Sequence, residues 1–480
     1  MKRIVLKNWR DKRWITAQPP GVRSDGSEVL AGLDAHLSPS GPVSGAGGAV
    51  GRPVVRLRYV DAELLYASWV WDHQADEPRL TVFERADVDA ALGRLARALP
   101  TPLPGETGAQ ALERAIGSGE LLDPVRELEL AHELTGALLP VVLGLELNRL
   151  EALGLRPVLR VQASPSTAQV PWELLGADGH ERALDMMDVA MLLPASIRND
   201  PERTVSPWTP DGPVVGVLDP AVPGYASSSD LGSVLGPVAD GSPLSDRVGE
   251  LGARLRPRPA HPPEAFRRTD LDRLELARLL GDAGAVENGG STASRLLYVG
   301  HVTGSTHALD ARLHLADDAE TPGRADLLGA HRPYSAADIA VGAPGLEPLH
   351  APNRVALVAC DSGGDLRFAE PTGLVAAFAH RGAEYVTATR WTLPTDAGLA
   401  RFGLGDRAAG VLADAVLAVD AAHDAPDPVV ALAAWQRRQR ERWSETGDPR
   451  YSPIVWGAFM TAWSPERPSL SIPCAQNDTG

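Results

Sequence analysis

NRVALVACDSGG, residues 353–364, combines a short apolar run with an abrupt stop. Five apolar residues, 355–359, come first, and Cys360 and Asp361 then precede Ser-Gly-Gly. A run of this length that ends in small, turn-forming residues is typical of a buried strand in a parallel sheet. Ligands and reacting groups of open α/β sheets lie at the carboxyl ends of such strands. The pattern therefore makes Cys360 a candidate nucleophile.

A second stretch, RLLYVGHVTG at residues 295–304, repeats this design and places His301 at the end of an apolar run. The intervening chain is long enough for one crossover with an insertion, so the two strand ends can lie side by side. A nearby imidazole can take the proton of a thiol. Two alternatives remain open for the single residues: Cys360 is a packed core thiol, and His301 is a structural histidine. Together, at equivalent strand ends, they favour a Cys–His dyad.

Length and charge limit the classes of protein to which the chain can belong. Its 480 residues suffice for two or three domains, and a hydrophobic content of 44% with 22% charged residues is ordinary for a soluble globular protein. The net charge of −16 argues against a nucleic-acid partner and against binding to an anionic membrane surface.

Cysteine usage and apolar runs predict a cytoplasmic protein. The chain has two cysteines, and Cys474 lies in a polar tail, so no disulfide is expected. The N-terminal 14 residues contain only a three-residue apolar run, which does not predict a signal peptide. The most apolar stretch, Gly136–Leu147, is interrupted by proline and glycine and does not predict a membrane span.

Proline- and glycine-rich breaks and the order of strand and helix patterns predict the domain organisation of the chain. Residues 1–104 read as a β-rich N-terminal module that ends at a proline-rich break. Beyond it, apolar strands alternate with helical segments, which indicates an α/β protein with a mostly parallel sheet. Residues 466–480 are predicted to be a disordered tail.

No cofactor and no metal are predicted. GAGGAVG at residues 45–51 approaches a dinucleotide-binding loop, but Val50 occupies the third glycine position and no capped helix follows. His301, His307 and Asp310 are close in sequence, yet their spacing fits no standard zinc site.

With these residues in view, the chain resembles the CHAT peptidases, which are caspase-like cysteine proteases of the clan that also holds caspases, metacaspases, gingipain and separase. The resemblance covers about residues 105–465 and rests on the order of several blocks: VPWELL (170–175), LLYVGH (296–301), VALVACDSG (355–363), GAEYVTATRWTLPTD (382–396) and SPIVWGAFMTAW (452–463). It implies a caspase-like fold of two tandem halves, an inactive one at 105–285 and a catalytic one at 286–465.

The resemblance also implies roles for individual residues. Cys360 would attack the scissile carbonyl, and His301 would polarise the thiol and protonate the leaving amine. Backbone N–H groups near Gly300 and Val302, with that of Cys360, would hold the oxyanion. Relatives usually have glycine after the histidine. Here Val302 keeps the N–H but its side chain constrains substrate approach, which is consistent with low basal activity or a need for activation.

Three residues are candidates for the substrate pocket. Asp396 matches the place at which separase-like relatives contact a basic P1 side chain, and Asp361, beside the nucleophile, is the second candidate. The alternative for Asp396 is a helix N-cap. Trp391 would either wall the pocket or fill the core.

The leading functional hypothesis is a cysteine endopeptidase that cleaves protein substrates after a basic P1 residue. The resemblance places it in a regulated bacterial system, antiphage defence or programmed cell death, switched by an activating protein partner. The alternatives are a catalytically silent caspase-like module that binds a protein partner, and a cysteine-dependent hydrolase of small substrates.

Overall fold

The computed structural model describes residues 52–177, 179–281, 284, 291–304, 307–360, 364 and 373–466. The glycine-rich stretch at 45–51, Asp361 and Cys474 therefore lie outside the described residues. The strands are β1 (Val54–Asp61), β2 (Leu65–Trp71), β3 (Arg79–Phe83), β4 (Val158–Gln162), β5 (Asp188–Met191), β6 (Val214–Leu218), β7 (Leu255–Arg256), β8 (Arg295–Gly300), β9 (Val302–Thr303), β10 (Arg312–Leu313), β11 (Tyr334–Ser335), β12 (Arg354–Ala359), β13 (Tyr385–Thr389) and β14 (Phe459–Trp463).

Helices pack between and over these strands. They are α1 (Arg85–Ala98), α2 (Gly108–Gly117), α3 (Pro124–Leu138), α4 (Val141–Ala152), α5 (Ala183–Met186), α6 (Ala195–Arg198), α7 (Pro243–Leu251), α8 (Arg273–Leu280), α9 (Ala336–Val341), α10 (Leu374–His380), α11 (Asp396–Leu399), α12 (Val411–Asp424), α13 (Pro428–Thr446) and α14 (Pro453–Trp456). The starts of α3 and α13 follow one local rule. Asp123 and Asp427 each accept hydrogen bonds from two backbone N–H groups of the first turn, and each is followed by a proline at the first helical position.

Eleven of the described strands form one sheet in the order β3-β2-β1-β4-β5-β14-β13-β12-β8-β6-β7. The strands β1, β4, β5 and β14 run parallel to one another, and so do β13, β12, β8, β6 and β7. The two parallel blocks meet at β13 and β14, which pair antiparallel. The predicted mixed α/β class with a large, mostly parallel sheet is confirmed.

The two blocks do not follow the predicted boundary between residues 285 and 286. β6 and β7 precede that boundary, yet they lie beside β8 in the block that carries Cys360 and His301. β14, the last strand in sequence, lies instead beside β5 in the other block. Pairing between strands that are distant in sequence decides to which block each strand belongs. The glycine- and proline-rich breaks in the sequence do not indicate that pairing.

The described part of the predicted N-terminal module is not structurally separate from the rest. β1 pairs in parallel with β4, with Val54 opposite Val158, and so extends the common sheet. Two of its tryptophans also reach across the chain, because the indole nitrogens of Trp69 and Trp71 donate to the Glu146 carboxylate of α4 at 3.1 and 2.8 Å. One hydrophobic core is therefore shared by both regions.

Among the residues that the structure describes, no single helix is long and apolar enough to cross a membrane. α3 and α4 together meet the length and composition, but the pair is bent by 116°. The apolar run Gly136–Leu147 therefore spans a break between two helices.

Strand order in the second block produces a switch point. The chain passes from β6 outward to β7, and then returns to the other side of β6 to form β8, β12 and β13. Crevices at such reversals, outside the carboxyl ends of the strands, are where open α/β sheets bind ligands. His301 follows β8 and Asp219 follows β6, so both residues lie at this point.

We expect a shortened chain that lacks residues 1–104 to be insoluble or unfolded. Removing β1 exposes the edge of β4 and leaves Glu146 in α4 without its two indole donors. Soluble yield and circular dichroism measure the effect. Removal of residues 467–480 is the control, and it should leave both unchanged. A soluble, folded 105–480 chain would contradict this prediction.

Candidate active site

The two candidate catalytic residues follow directly paired strand positions. In the parallel pair β8–β12, Gly300 is the partner of Ala359, so His301 and Cys360 leave the sheet side by side. Neighbouring strands are about 4.8 Å apart, so the backbones of the two residues are adjacent. The predicted juxtaposition of the two strand ends is therefore present in the fold.

The backbone of His301 is held by a hydrogen bond from the Tyr298 hydroxyl. The buried Tyr298 hydroxyl lies 2.6 Å from the carbonyl oxygen of His301 and 3.0 Å from that of His314. A Cβ on Gly300 would lie 2.8 Å from the same hydroxyl, so only glycine fits between the tyrosine and the histidine. Burial raises the pKa of Tyr298 far above its usual range, and the phenol stays a neutral donor.

The His301 ring is oriented by a main-chain carbonyl. Its Nε2 lies 3.0 Å from the oxygen of Gly232, in the loop that follows β6. Because a carbonyl oxygen only accepts, this contact requires a proton on Nε2, and in neutral imidazole Nδ1 is then the free acceptor. Burial lowers the pKa of His301, and the Gly232 carbonyl and the Asp219 and Asp230 charges oppose that change.

The Cys360 thiol is neutral in this arrangement. Its Sγ donates to the carbonyl oxygen of Leu393 at 3.5 Å, in the loop after β13. Burial raises the pKa of the thiol above its usual value. With the pKa of His301 lowered as well, the resting pair is a thiol and a neutral imidazole rather than a thiolate–imidazolium pair.

Asp219 is a charged residue at this strand edge to which the sequence analysis assigned no role. It follows β6 and is 1% exposed. Its Oδ1 accepts from the backbone N–H of Val234 at 3.0 Å, and its Oδ2 accepts from the Ser233 hydroxyl. The Arg267 guanidinium lies 3.6 Å from Oδ1. The carboxylate thus ties the end of β6 to the loop that contains Gly232.

Asp396 has the geometry of a helix cap. Its two carboxylate oxygens accept from the backbone N–H groups of Gly410 and Leu412 at 2.7 and 2.8 Å, at the start of α12. Thr395, not Asp396, caps α11. The capping interpretation is therefore the one that the hydrogen bonds support, although the capped helix begins at Val411 rather than at Ala397. In a pocket role, a substrate would share the carboxylate with these two backbone donors.

Trp391 is fully buried, and its indole N–H donates to the carbonyl oxygen of Ile454 at 2.9 Å. It fills the core beneath the loop after β13, the alternative that the sequence left open. The neighbouring Arg390 is also buried and forms an ion pair with Glu173 at 2.8 Å. This contact joins the VPWELL block to the loop that touches Cys360.

The remaining predicted residues are placed as follows. Val302 lies in β9 opposite Leu313, with its side chain buried. His307 lies 3.7 Å from Asp310, on the exposed side of the short segment before β10. No group of three histidine, cysteine or acidic residues in the described part of the chain could hold a metal ion.

Sequence reasoning missed Asp219, Gly232 and Tyr298. For Asp219 a signal existed, because VVGVL at 214–218 followed by aspartate repeats the pattern of an apolar strand ending in a reactive residue. Gly232 lies in a loop-rich region of glycine, serine and proline, where nothing distinguishes it. Tyr298 reads as an ordinary strand residue, since its contact with the His301 carbonyl depends on the fold.

Comparison with known proteins gives limited information. No protein-family profile matches the chain, and no curated protein is detectably related to it. Two structures of the Saccharomyces cerevisiae separase–securin complex align with 86% of this chain, with 11% and 10% identity and TM-scores of 0.40 and 0.38. The aligned region spans about 30% of those chains. A likeness of this extent carries no argument about family or activity.

We expect Cys360 to be alkylated by iodoacetamide with a pH midpoint above the value of about 8.5 for a free thiol. The cause is burial of the thiol, which disfavours the thiolate, so the reaction rate should rise as pH increases through that raised pKa. The Cys474→Ala protein leaves Cys360 as the one cysteine, and mass spectrometry follows its modification. The same protein in denaturant is the control. Rapid alkylation at pH 6 would indicate a thiolate–imidazolium pair instead.

Proposed function

We propose that the protein is a caspase-like cysteine endopeptidase in which Cys360 is the nucleophile and His301 the general base. The observation that carries this is the β8–β12 register, which brings the two residues side by side at the carboxyl edge of a parallel sheet. The switch point between β6 and β8 provides the crevice in which a substrate would bind. The resemblance to CHAT peptidases, block by block, points to the same reaction.

In the proposed mechanism, Nδ1 of His301 takes the thiol proton while Nε2–H stays hydrogen-bonded to the Gly232 carbonyl. The Cys360 sulfur attacks the scissile carbonyl carbon and forms a tetrahedral intermediate. Backbone N–H groups near Gly300 and Val302, with that of Cys360, would hold its oxyanion. Collapse of the intermediate breaks the C–N bond, and the amine leaves with the proton from Nδ1. Water then hydrolyses the thioester through the same imidazole.

We expect Cys360→Ala and His301→Ala each to lower peptide cleavage at least about a hundredfold, because each removes one reacting group. Both variants should keep the wild-type circular dichroism spectrum and melting temperature to within a few degrees. Cys474→Ala is the matched cysteine control and should retain full activity. Cleavage by Cys360→Ala at the wild-type rate would rule out the dyad.

A neutral thiol and a neutral imidazole at rest fit a protease that has low activity until a signal activates it. A partly buried thiol with a raised pKa reacts slowly at neutral pH, and Val302 takes the place usual for glycine after the histidine. A protein partner that rearranges the crevice would raise activity. From the resemblance to CHAT peptidases, we propose that the protein acts on protein substrates in a regulated bacterial system, antiphage defence or programmed cell death.

The proposed specificity is for a basic P1 residue. Asp361 adjoins the nucleophile, and Asp396 begins α11, directly after the loop that contacts Cys360 through Leu393. Because both oxygens of Asp396 cap α12, Asp361 is the stronger candidate of the two. A carboxylate in a partly desolvated pocket gains most from a charge-assisted hydrogen bond to arginine or lysine.

A peptide acyloxymethyl ketone with arginine at P1 should label Cys360 faster than the matched reagent with aspartate. Asp361→Ala should reduce that preference. Asp396→Ala should instead lower the free energy of unfolding by about 1 kcal/mol through loss of the cap. Asp406→Ala, an exposed aspartate of the same connection, is the stability control. Faster labelling by the aspartate reagent would remove the basic-P1 assignment and leave the dyad untouched.

The second candidate function is a catalytically silent module that binds a protein partner. The neutral thiol with its raised pKa and the buried Val302 side chain favour it. It predicts that neither ketone labels Cys360, in the presence or absence of a partner, and that Cys360→Ala retains full biological activity. Stoichiometric labelling of the wild-type chain would exclude it.

A further inference from the structure

We propose that Asp219 is a positioning residue for His301, acting through the loop that presents the Gly232 carbonyl. The inference rests on the proposed function, because it concerns how the general base of that reaction is oriented. It adds a residue that contacts neither the thiol nor the substrate. Asp219 accepts hydrogen bonds from the loop, and the Gly232 carbonyl of that loop accepts a hydrogen bond from the imidazole.

The position of Asp219 is fixed by the sheet. Its backbone N–H donates to the carbonyl oxygen of Val299 in β8 at 2.6 Å, two residues before His301. Its φ of 51° is in the left-handed region, which aspartate and asparagine adopt more readily than most residues. This turn directs the chain out of β6 and leaves the carboxylate buried against the loop rather than in solvent.

Both carboxylate oxygens are used to hold that loop. Oδ1 accepts from the Val234 N–H and Oδ2 from the Ser233 hydroxyl, so the two residues directly after Gly232 are bound to the end of β6. The Ser233 oxygen in turn accepts from the Gly236 N–H at 2.8 Å, which closes the turn. A charged acceptor makes stronger hydrogen bonds than a neutral one, particularly when buried.

Gly232 itself is packed too tightly for any other residue. A Cβ there would lie 2.3 Å from the carbonyl oxygen of Ser227 and 2.6 Å from that of Ala226. Its N–H donates to the Ser229 carbonyl at 2.8 Å. The Gly232 peptide is thus held on one side by this turn and on the other by the Asp219 bonds to Ser233 and Val234, which we call the clamp. Its carbonyl oxygen lies 3.0 Å from Nε2 of His301.

Charge alone does not account for this arrangement. Asp219 and Asp230 both act on His301 as negative charges, and Arg267 opposes them. Asp230 is exposed and supplies the same charge without the bonds to Ser233 and Val234. Asp230→Asn is therefore a matched control, because it removes one negative charge near the imidazole and leaves the clamp in place.

Two variants weaken the clamp without changing the backbone. Asp219→Asn keeps the left-handed conformation and one acceptor oxygen but cannot accept from both partners. Ser233→Ala removes one bond and leaves the aspartate intact. Ser229→Ala is the control for the second variant, since its hydroxyl donates to the Ala226 carbonyl in the same loop and does not contact Asp219.

The first measurement does not depend on proteolysis. Long-range ¹H–¹⁵N spectra of the full chain labelled at histidine report the tautomer of each ring, and His301→Gln assigns the signal. We expect the Nε2–H form in the wild type and in Asp230→Asn and Ser229→Ala. Asp219→Asn and Ser233→Ala should show a mixture with the Nδ1–H form. An unchanged tautomer in both clamp variants would overturn the proposal, even if the protein cleaves nothing.

The second measurement is peptide cleavage against pH. Asp219→Asn should lower kcat about tenfold with little change in KM, because a misoriented base loses part of its usual contribution. Asp230→Asn should move the acidic limb of the profile to lower pH without lowering the plateau, since it removes only a charge that raises the pKa of His301.

The outcomes separate this inference from the proposed function. If the wild-type chain cleaves no peptide and neither ketone labels Cys360, the proposed function is wrong. The tautomer measurement still shows whether Asp219 positions His301. If Asp219→Asn loses activity only toward arginine peptides, with the tautomer unchanged, Asp219 is a pocket acid and the clamp is overturned. Equal kcat losses for all peptides, together with the mixed tautomer, support it.

Discussion

The parallel register of β8 and β12 is the constraint on which the site depends. Because Gly300 faces Ala359, the next residue on each strand leaves the sheet at the same edge, and those residues are His301 and Cys360. A slip of one residue would turn every side chain of the strand to the other face and separate the pair. Both strands are buried along their whole length, so apolar packing on the two faces opposes such a slip.

Around this pair, hydrogen bonds to the main chain do most of the positioning. Tyr298 holds the carbonyl of His301, the Gly232 carbonyl orients its ring, and the Leu393 carbonyl accepts from the thiol. Each of these contacts comes from a different segment, and burial is what favours the neutral forms of the imidazole and the thiol. The arrangement suits a general-base step in which charge appears only when the thiol proton moves to Nδ1.

The loop after β13 connects Cys360 to the other half of the sheet. Arg390 donates to the carbonyl oxygens of Gly457 and Phe459 at 3.0 and 3.1 Å and pairs with Glu173. Removing one partner of a buried ion pair typically costs about 3–5 kcal/mol. Three separate blocks of the sequence therefore meet at one buried guanidinium, three residues before the carbonyl that accepts from Cys360. This gives a structural reason for their joint presence in the chain.

The sequence by itself determined the strands that end at His301 and Cys360, the α/β class and the candidate nucleophile, because apolar runs and their terminating residues are local signals. Only the tertiary structure decided which strands are neighbours, so that β6 lies in the block that carries His301 and Cys360 and β14 pairs with β5 in the other block. It also decided that Asp396 caps α12 and that Asp219 holds the loop of Gly232. Those roles depend on which backbone N–H groups lie next to each carboxylate in the folded protein. These groups are distant in sequence, so residue type and spacing do not indicate them.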